Sequence, residues 1–103
     1  MKRIELRPHA RHALLDAYRG ILETSGATRA DRFQTRVWQT FDDLALTPKM
    51  GAPRRLGSSP PRDLRLWRVR DFEEYLIFYS VTANAVRIER VIHAKLDYQR
   101  QFE

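Results

Sequence analysis

YLIFYSVTANAVRIERVIHAKLD, residues 75 to 97, reads as two strands and the turn between them. Apolar and aromatic residues fill positions 75–81, and Val86, Ile88, Val91 and Ile92 carry a second run over 86–93. Residues 82–85 connect the two, with Asn84 supplying turn chemistry. A connection this short makes the pair antiparallel. A strict period of two places Val86, Ile88, Arg90 and Ile92 on one face, so an arginine interrupts an apolar row. Arginine is rarely buried without a partner. Arg90 therefore reaches a carboxylate such as Glu5 or Asp97, emerges at the sheet edge, or faces a ligand. His93 closes the strand on the face of Arg87, Glu89 and Val91, where a lone histidine is most often a partly exposed hydrogen-bonding residue.

Upstream, residues 63–70 form a further strand around LRLWRV, joined to the next through residues 71–74. On it Arg65 shares a face with Trp67 and Val69, while Arg68 and Arg70 follow Leu64 and Leu66 on the other. An arginine beside a tryptophan can hold a phosphate or nucleobase. A tryptophan in that setting is more often core, and Tyr75 and Tyr79, alternating with Ile77, belong to the core with polar tips. Before this strand comes TPKMGAPRRLGSSPPR, residues 47–62, whose prolines, glycines and serines exclude regular structure. It is a long basic loop inside the domain, a length more often functional or mobile than incidental.

The first half is helical. Arg3, Ile4, Glu5 and Leu6 alternate as a short half-buried strand does, and Pro8 then suits the first position of a helix. Ala10, Ala13, Leu14, Ala17, Tyr18, Ile21 and Leu22 make one apolar face, which Gly26 ends. Thr28 is placed to cap a second helix, with Asp31 three residues on completing a capping box. Ala30, Phe33, Val37, Phe41 and Leu44 form its stripe, and Pro48 stops it. So short a connection predicts an antiparallel helical hairpin. The order β-α-α-β-β-β gives an α+β domain over residues 1–103: an antiparallel sheet with an N-terminal helical hairpin packed on one face.

The chain has 103 residues, enough for one domain with a real core, since 43% are hydrophobic. With no cysteine, disulfides, thiolate nucleophiles and cysteine metal sites are excluded. His9 and His12 lie three apart on the first helix with no third ligand in view, which predicts no metal, and no cofactor motif is present. The N-terminus lacks a signal-peptide core and no apolar run is long enough to span a membrane, so a cytoplasmic protein without membrane attachment is expected. Net charge is +6, and residues 47–70 account for all of it. They hold Lys49, Arg54, Arg55, Arg62, Arg65, Arg68 and Arg70 against Asp63 alone, while the remaining acids and bases cancel. Such a field draws phosphates or an acidic protein partner. Without a partner it is a solvated basic loop.

Together these features resemble the RelE/ParE toxin superfamily of bacterial type II toxin–antitoxin systems, over nearly the whole chain. The resemblance rests on the element order, on LTPKMGAPRR (residues 46–55), LRLWRV (64–69) and YLIFYSV (75–81), and above all on RIERVIHAKLD (87–97). The ParE-like ending is a tyrosine-rich strand, a short turn, an arginine, a terminal histidine, and then a basic-x-aspartate tail. The resemblance implies a RelE-like toxin fold and a cognate antitoxin, ParD-like or another small DNA-binding protein with a disordered tail. It also implies a role in plasmid stabilization.

The superfamily divides by mechanism: RelE-like members cleave messenger RNA on the ribosome, and ParE-like members poison DNA gyrase. Metal-free RNA cleavage needs a base for the 2′-hydroxyl, an acid for the leaving oxygen and cations for the charged transition state. By resemblance Arg65 and Arg90 supply the cations and His93 the acid. Where some RNase members carry a glutamate after a glycine-proline step, this chain has Gly51-Ala52-Pro53-Arg54. The loop has only Lys49 rather than closely spaced lysines, and Leu96-Asp97-Tyr98 stands where a tyrosine directly after His93 would be expected. Glu73, Glu74 and Tyr98 remain as candidate bases. These departures favour a ParE-like gyrase inhibitor over a ribosome-dependent mRNA endonuclease. Arg54, Arg55, Arg62, Arg65, Arg90, His93 and Lys95 are then expected to contact partner or target. A reading of another class is a non-toxic basic nucleic-acid-binding module, carried by the charge on residues 47–70.

Overall fold

The structure is a computed structural model, and it describes residues 1–54 and 64–95. In chain order the elements are β1 (Arg3–Leu6), α1 (Pro8–Ser25), α2 (Ala27–Leu46), a 3-10 turn (Pro48–Met50), β2 (Ala52–Pro53), β3 (Leu64–Val69), β4 (Phe72–Val81) and β5 (Ala85–His93). The strands form one sheet in the order β1-β5-β4-β3-β2. This is an α+β architecture of two helices and a five-stranded sheet.

The expected antiparallel sheet is mixed. β2, β3, β4 and β5 pair antiparallel, but β1 lies parallel to β5, with Arg3 opposite Ala85 and Leu6 opposite Ile88. Parallel neighbours need a long crossover, and everything between β1 and β5 supplies one. Alternation within four residues marks a strand but carries nothing about its direction.

The two helices supply the larger core. Ala30, Phe33, Val37, Phe41 and Leu44 on α2, with Ala10 and Ile21 on α1, are buried against Val69, Phe72, Ile77, Tyr79, Val86, Ile88 and Val91. Each fully buried large side chain here contributes on the order of 1.5–3 kcal/mol of hydrophobic stabilisation. Phe33 is the knot, since its ring meets Phe72 edge-on at 5.2 Å and Tyr75 at 4.8 Å. Leu22, expected on the buried face of α1, is instead exposed. Leu64, Leu76, Phe78 and Ile92 form a second buried cluster, which β3, β4 and β5 contribute from the opposite face.

Three local expectations change. Gly26, at φ 90°, is both the C-cap of α1 and the N-cap of α2, and α2 starts at Ala27 with no side-chain cap. Thr28 therefore lies inside the helix. Asp31 serves the helix–helix contact instead, accepting the Tyr18 hydroxyl at 2.7 Å. The β3–β4 turn is tighter than residues 71–74. Val69 pairs Phe72, leaving Arg70 and Asp71 as the two turn residues, with Asp71 at φ 64°. The loop over 47–62 is not wholly irregular either, because Ala52 and Pro53 pair with Leu66 and Arg65.

The face assignment on β5 also changes. Phe78 pairs Arg90 but Tyr79 pairs Ile88, so Glu89 is an extra residue in a β-bulge. One extra residue inverts the alternation beyond it. Val86 and Ile88 face the helices, and so does Val91, whereas Arg90 and Ile92 share the other face with Phe78 and Leu76. Arg90 thus does not interrupt the row of Val86 and Ile88. Glu5, a suggested partner for Arg90, bonds Arg87 Nε at 3.2 Å; Asp97 lies outside the described residues.

Candidate functional site: the basic edge and the helix groove

The basic segment is anchored at its start. After α2 the chain turns through Pro48–Met50 and runs along the edge of β3. The Arg54 N–H donates to the Leu64 carbonyl at 2.8 Å, which fixes the backbone of Arg54 while its side chain is exposed. Arg65 does not project as a free cation. Its Nη1 donates to the Gly51 carbonyl at 2.8 Å and the Lys49 carbonyl at 3.1 Å. Arg55 and Arg62 lie outside the described residues.

Trp67, expected in the core, is 37% exposed and lines an open groove of about 620 Å³ with Met50, Arg54, Leu66 and Arg68. The reason is its position near the sheet edge. β2 pairs only with Arg65 and Leu66, so nothing in that strand covers the next residue. Arg70 closes one end of the groove by an ion pair with Asp43 at 2.6 Å.

The three residues expected to act together on a phosphate are dispersed. Arg65 pairs Tyr79 on the helix side of the sheet, whereas Arg90 pairs Phe78 on the opposite side. His93 pairs Tyr75, four residues along β4 from Tyr79, or roughly 13 Å at ~3.3 Å per residue. His93 packs edge-on against the Tyr75 ring at 5.0 Å, and its Nδ1 accepts the Lys95 N–H at 3.1 Å. In the neutral ring that bond leaves the proton on Nε2. Lys95 itself is exposed in the turn after β5. The candidate bases Glu73 and Glu74 give their backbone carbonyls to Arg68 Nη1 and to the Ala94 N–H, both at 2.7 Å. Tyr98 lies outside the described residues.

The bulge has a second consequence. By turning His93 to the helix side it brings all three histidines of the chain, His9, His12 and His93, around one groove with Asp16. The third histidine was not in view from the sequence, because strict alternation put it with Arg87 and Glu89. Even so, among the described residues no group of histidines and carboxylates is placed to hold a metal ion.

The helix pair carries the other open surface. Leu15 and Trp38 are 51% and 46% exposed, and they line a groove of about 520 Å³ with Leu6, Leu14, Tyr18 and Val37. Large apolar side chains gathered in this way mark an interaction surface more than a solvated one. Apolar spacing put Leu14, Tyr18 and Val37 on the helix faces but left out Leu15 and Trp38, and it could not say how far the partner helix would cover the groove. No helix among the described residues is long and apolar enough to cross a membrane.

No curated protein matches the chain. Among solved structures, it is similar to a chain described as the chromosomal ParDE TA system from P. aeruginosa, with a TM-score of 0.73. That match has 16% sequence identity and covers 92% of this chain and 98% of the other, which is a likeness of fold. A family profile, the ParE toxin of the type II toxin–antitoxin system parDE, matches residues 4–98. With the match running from β1 past the end of β5, the chain belongs to the ParE toxin family of type II toxin–antitoxin systems.

Proposed function

We propose that this toxin acts in the cytoplasm by binding DNA gyrase, without bond-making chemistry of its own, and that a cognate ParD-like antitoxin silences it. The observation that carries this reading is the separation of Arg65 from Arg90. Two arginines on opposite faces of one sheet cannot close on the same phosphate, so cation stabilisation of a cleavage transition state has no assembled site in these residues. What the chain presents instead is recognition surface: a basic edge around Arg54, Arg68 and Trp67, and an apolar groove on the helix pair.

The two surfaces suit two partners. An apolar groove with Arg11 and Gln34 at its margin fits an amphipathic antitoxin segment that folds on binding. The basic edge suits an acidic target surface that charge steers into place, with Arg90 on the other face of the sheet and His93 and Lys95 at the end of β5 as further contacts. Arg55 and Arg62, outside the described residues, are assigned to the same partner on their charge in the sequence.

Induction in bacteria tests the reading. The expected order is a DNA-damage response ahead of translation arrest, with gyrase-dependent DNA cleavage reproduced by the purified toxin and blocked by its antitoxin. Ribosome-bound mRNA cleavage by the wild-type chain would replace this reading with the endonuclease one. A chain that is harmless and forms no tight complex with its gene neighbour's product would leave only a basic binding module.

A further inference from the structure

Four hydrogen bonds converge on the short segment from Pro48 to Gly51. The Tyr79 hydroxyl donates to the Pro48 carbonyl at 2.7 Å and accepts the Gly51 N–H at 2.9 Å. Arg65 Nη1 donates to the carbonyls of Lys49 and Gly51. Tyr79 and Arg65 are direct cross-strand partners on β4 and β3, so both clamps rise from adjacent points of the sheet. The Tyr79 ring is fully buried, and its hydroxyl cannot shift without disturbing β4.

We infer that Tyr79 and Arg65 are positioning residues: they hold the backbone that carries the exposed Lys49 and presents Arg54 beside Trp67, and so pre-form the surface that meets the target. This rests on the reading above that the basic edge engages the target. The physical case is one of order. A 3-10 turn and a two-residue strand have little cohesion of their own, and a segment that must be ordered on binding weakens the complex by its lost freedom. Here folding has already removed that freedom, because a buried phenol and a guanidinium are committed to four successive peptide units. Arg65 then acts through Lys49 and Arg54 rather than on the target itself.

The test uses the full-length toxin and its antitoxin. Tyr79→Phe keeps the ring and removes both hydroxyl bonds. Expected are an antitoxin affinity within about threefold of wild type, faster hydrogen exchange at the Gly51 amide, and killing on induction reduced tenfold or more. Arg65→Gln should repeat this pattern, and Arg65→Lys, which keeps a donor, should retain more killing. Tyr79→Phe combined with Arg54→Glu should be no worse than Arg54→Glu alone, since one acts through the other. Wild-type killing by Tyr79→Phe and Arg65→Gln, with Arg54→Glu inactive, would overturn the inference and leave the basic edge as target surface. A parallel loss of antitoxin binding, or losses that simply add, would reduce the pair to a structural role and overturn it too. Wild-type killing by Arg54→Glu would overturn the reading of the basic edge, and the inference with it.

Discussion

Gly51 lies against the Tyr79 ring so closely that no side chain fits between them. A Cβ built on Gly51 would overlap the Tyr79 hydroxyl and come within 2.8 Å of the Leu66 carbonyl and 2.9 Å of Tyr79 Cε1. Tyr79 is fully buried and Leu66 O belongs to a strand, so neither neighbour can yield cheaply. Gly51→Ala should therefore lower stability by about 1–3 kcal/mol, the usual range for overpacking, read as a fall in Tm. The conformational freedom of glycine is not the cause, since Gly51 has an ordinary extended backbone at φ −72°. An unchanged Tm would mean that the segment swings away without loss, contrary to the clamp.

The helix groove makes a prediction about the antitoxin. Trp38 stacks edge-on against Phe41 at 5.2 Å yet leaves nearly half its surface in water. Trp38→Glu should keep the fold and weaken the antitoxin complex by about 2 kcal/mol or more, the range of an aromatic hot spot, mostly through faster dissociation. Titration calorimetry or surface binding kinetics would measure it. Equal affinity for wild type and variant would move the antitoxin to another surface.

Acid should weaken the fold through two carboxylates. Asp71 is held below the usual carboxylate range first by its hydrogen bond from Arg36, with further attraction from Arg36, Arg32 and Arg70. Glu5 is lowered in the same direction, chiefly by its hydrogen bond from Arg87. A depressed folded-state pKa means the unfolded chain binds protons more readily. The contribution is thus present above about pH 4 and is lost as pH falls through the folded-state value. Asp71 is exposed and Glu5 only half-buried, so the effect should shrink in high salt. Asp71→Asn should flatten the acid limb of a Tm-versus-pH curve while tolerating the left-handed backbone at φ 64°. An acid limb identical to wild type would rule out Asp71 as a contributor.

Alkali should act through Tyr79. Burial pushes its hydroxyl above the ordinary tyrosine range, with the Gly51 N–H and Arg65 opposing that shift in part. A raised folded-state pKa gives stability that is whole below about pH 10 and lost as pH rises through the folded-state value. The phenolate also cannot donate to the Pro48 carbonyl. The Tyr79→Phe variant should lose this part of the alkaline transition, and an unchanged alkaline limb would remove Tyr79 from it.

His93 separates the two toxin mechanisms. As a general acid its replacement in His93→Gln should cost on the order of a hundredfold or more in cleavage rate with the fold retained. As a packing residue against Tyr75 it should change toxicity only mildly. The milder result is expected, measured as killing on induction beside a ribosome-dependent mRNA cleavage assay.

Much of this was legible before any coordinates. The α2 stripe of Ala30, Phe33, Val37, Phe41 and Leu44, the Gly26 boundary, the three consecutive strands and the core placement of Tyr79 all follow from periodicity, turn chemistry and burial preference, which are local properties of the chain. The family was legible for the same reason, since an order of elements with spaced residues is itself linear information. Tertiary structure alone decided the rest. Glu89 became a bulge because β4 and β5 had to match register, and that one residue sent Arg90 to the face away from Arg65 and His93 toward the helices. Arg65 found two backbone carbonyls because a segment fourteen residues earlier folds back across its strand. A candidate site read along the chain assumes unbroken alternation and free side chains. Pairing between strands settles both, and it is not encoded in either strand by itself.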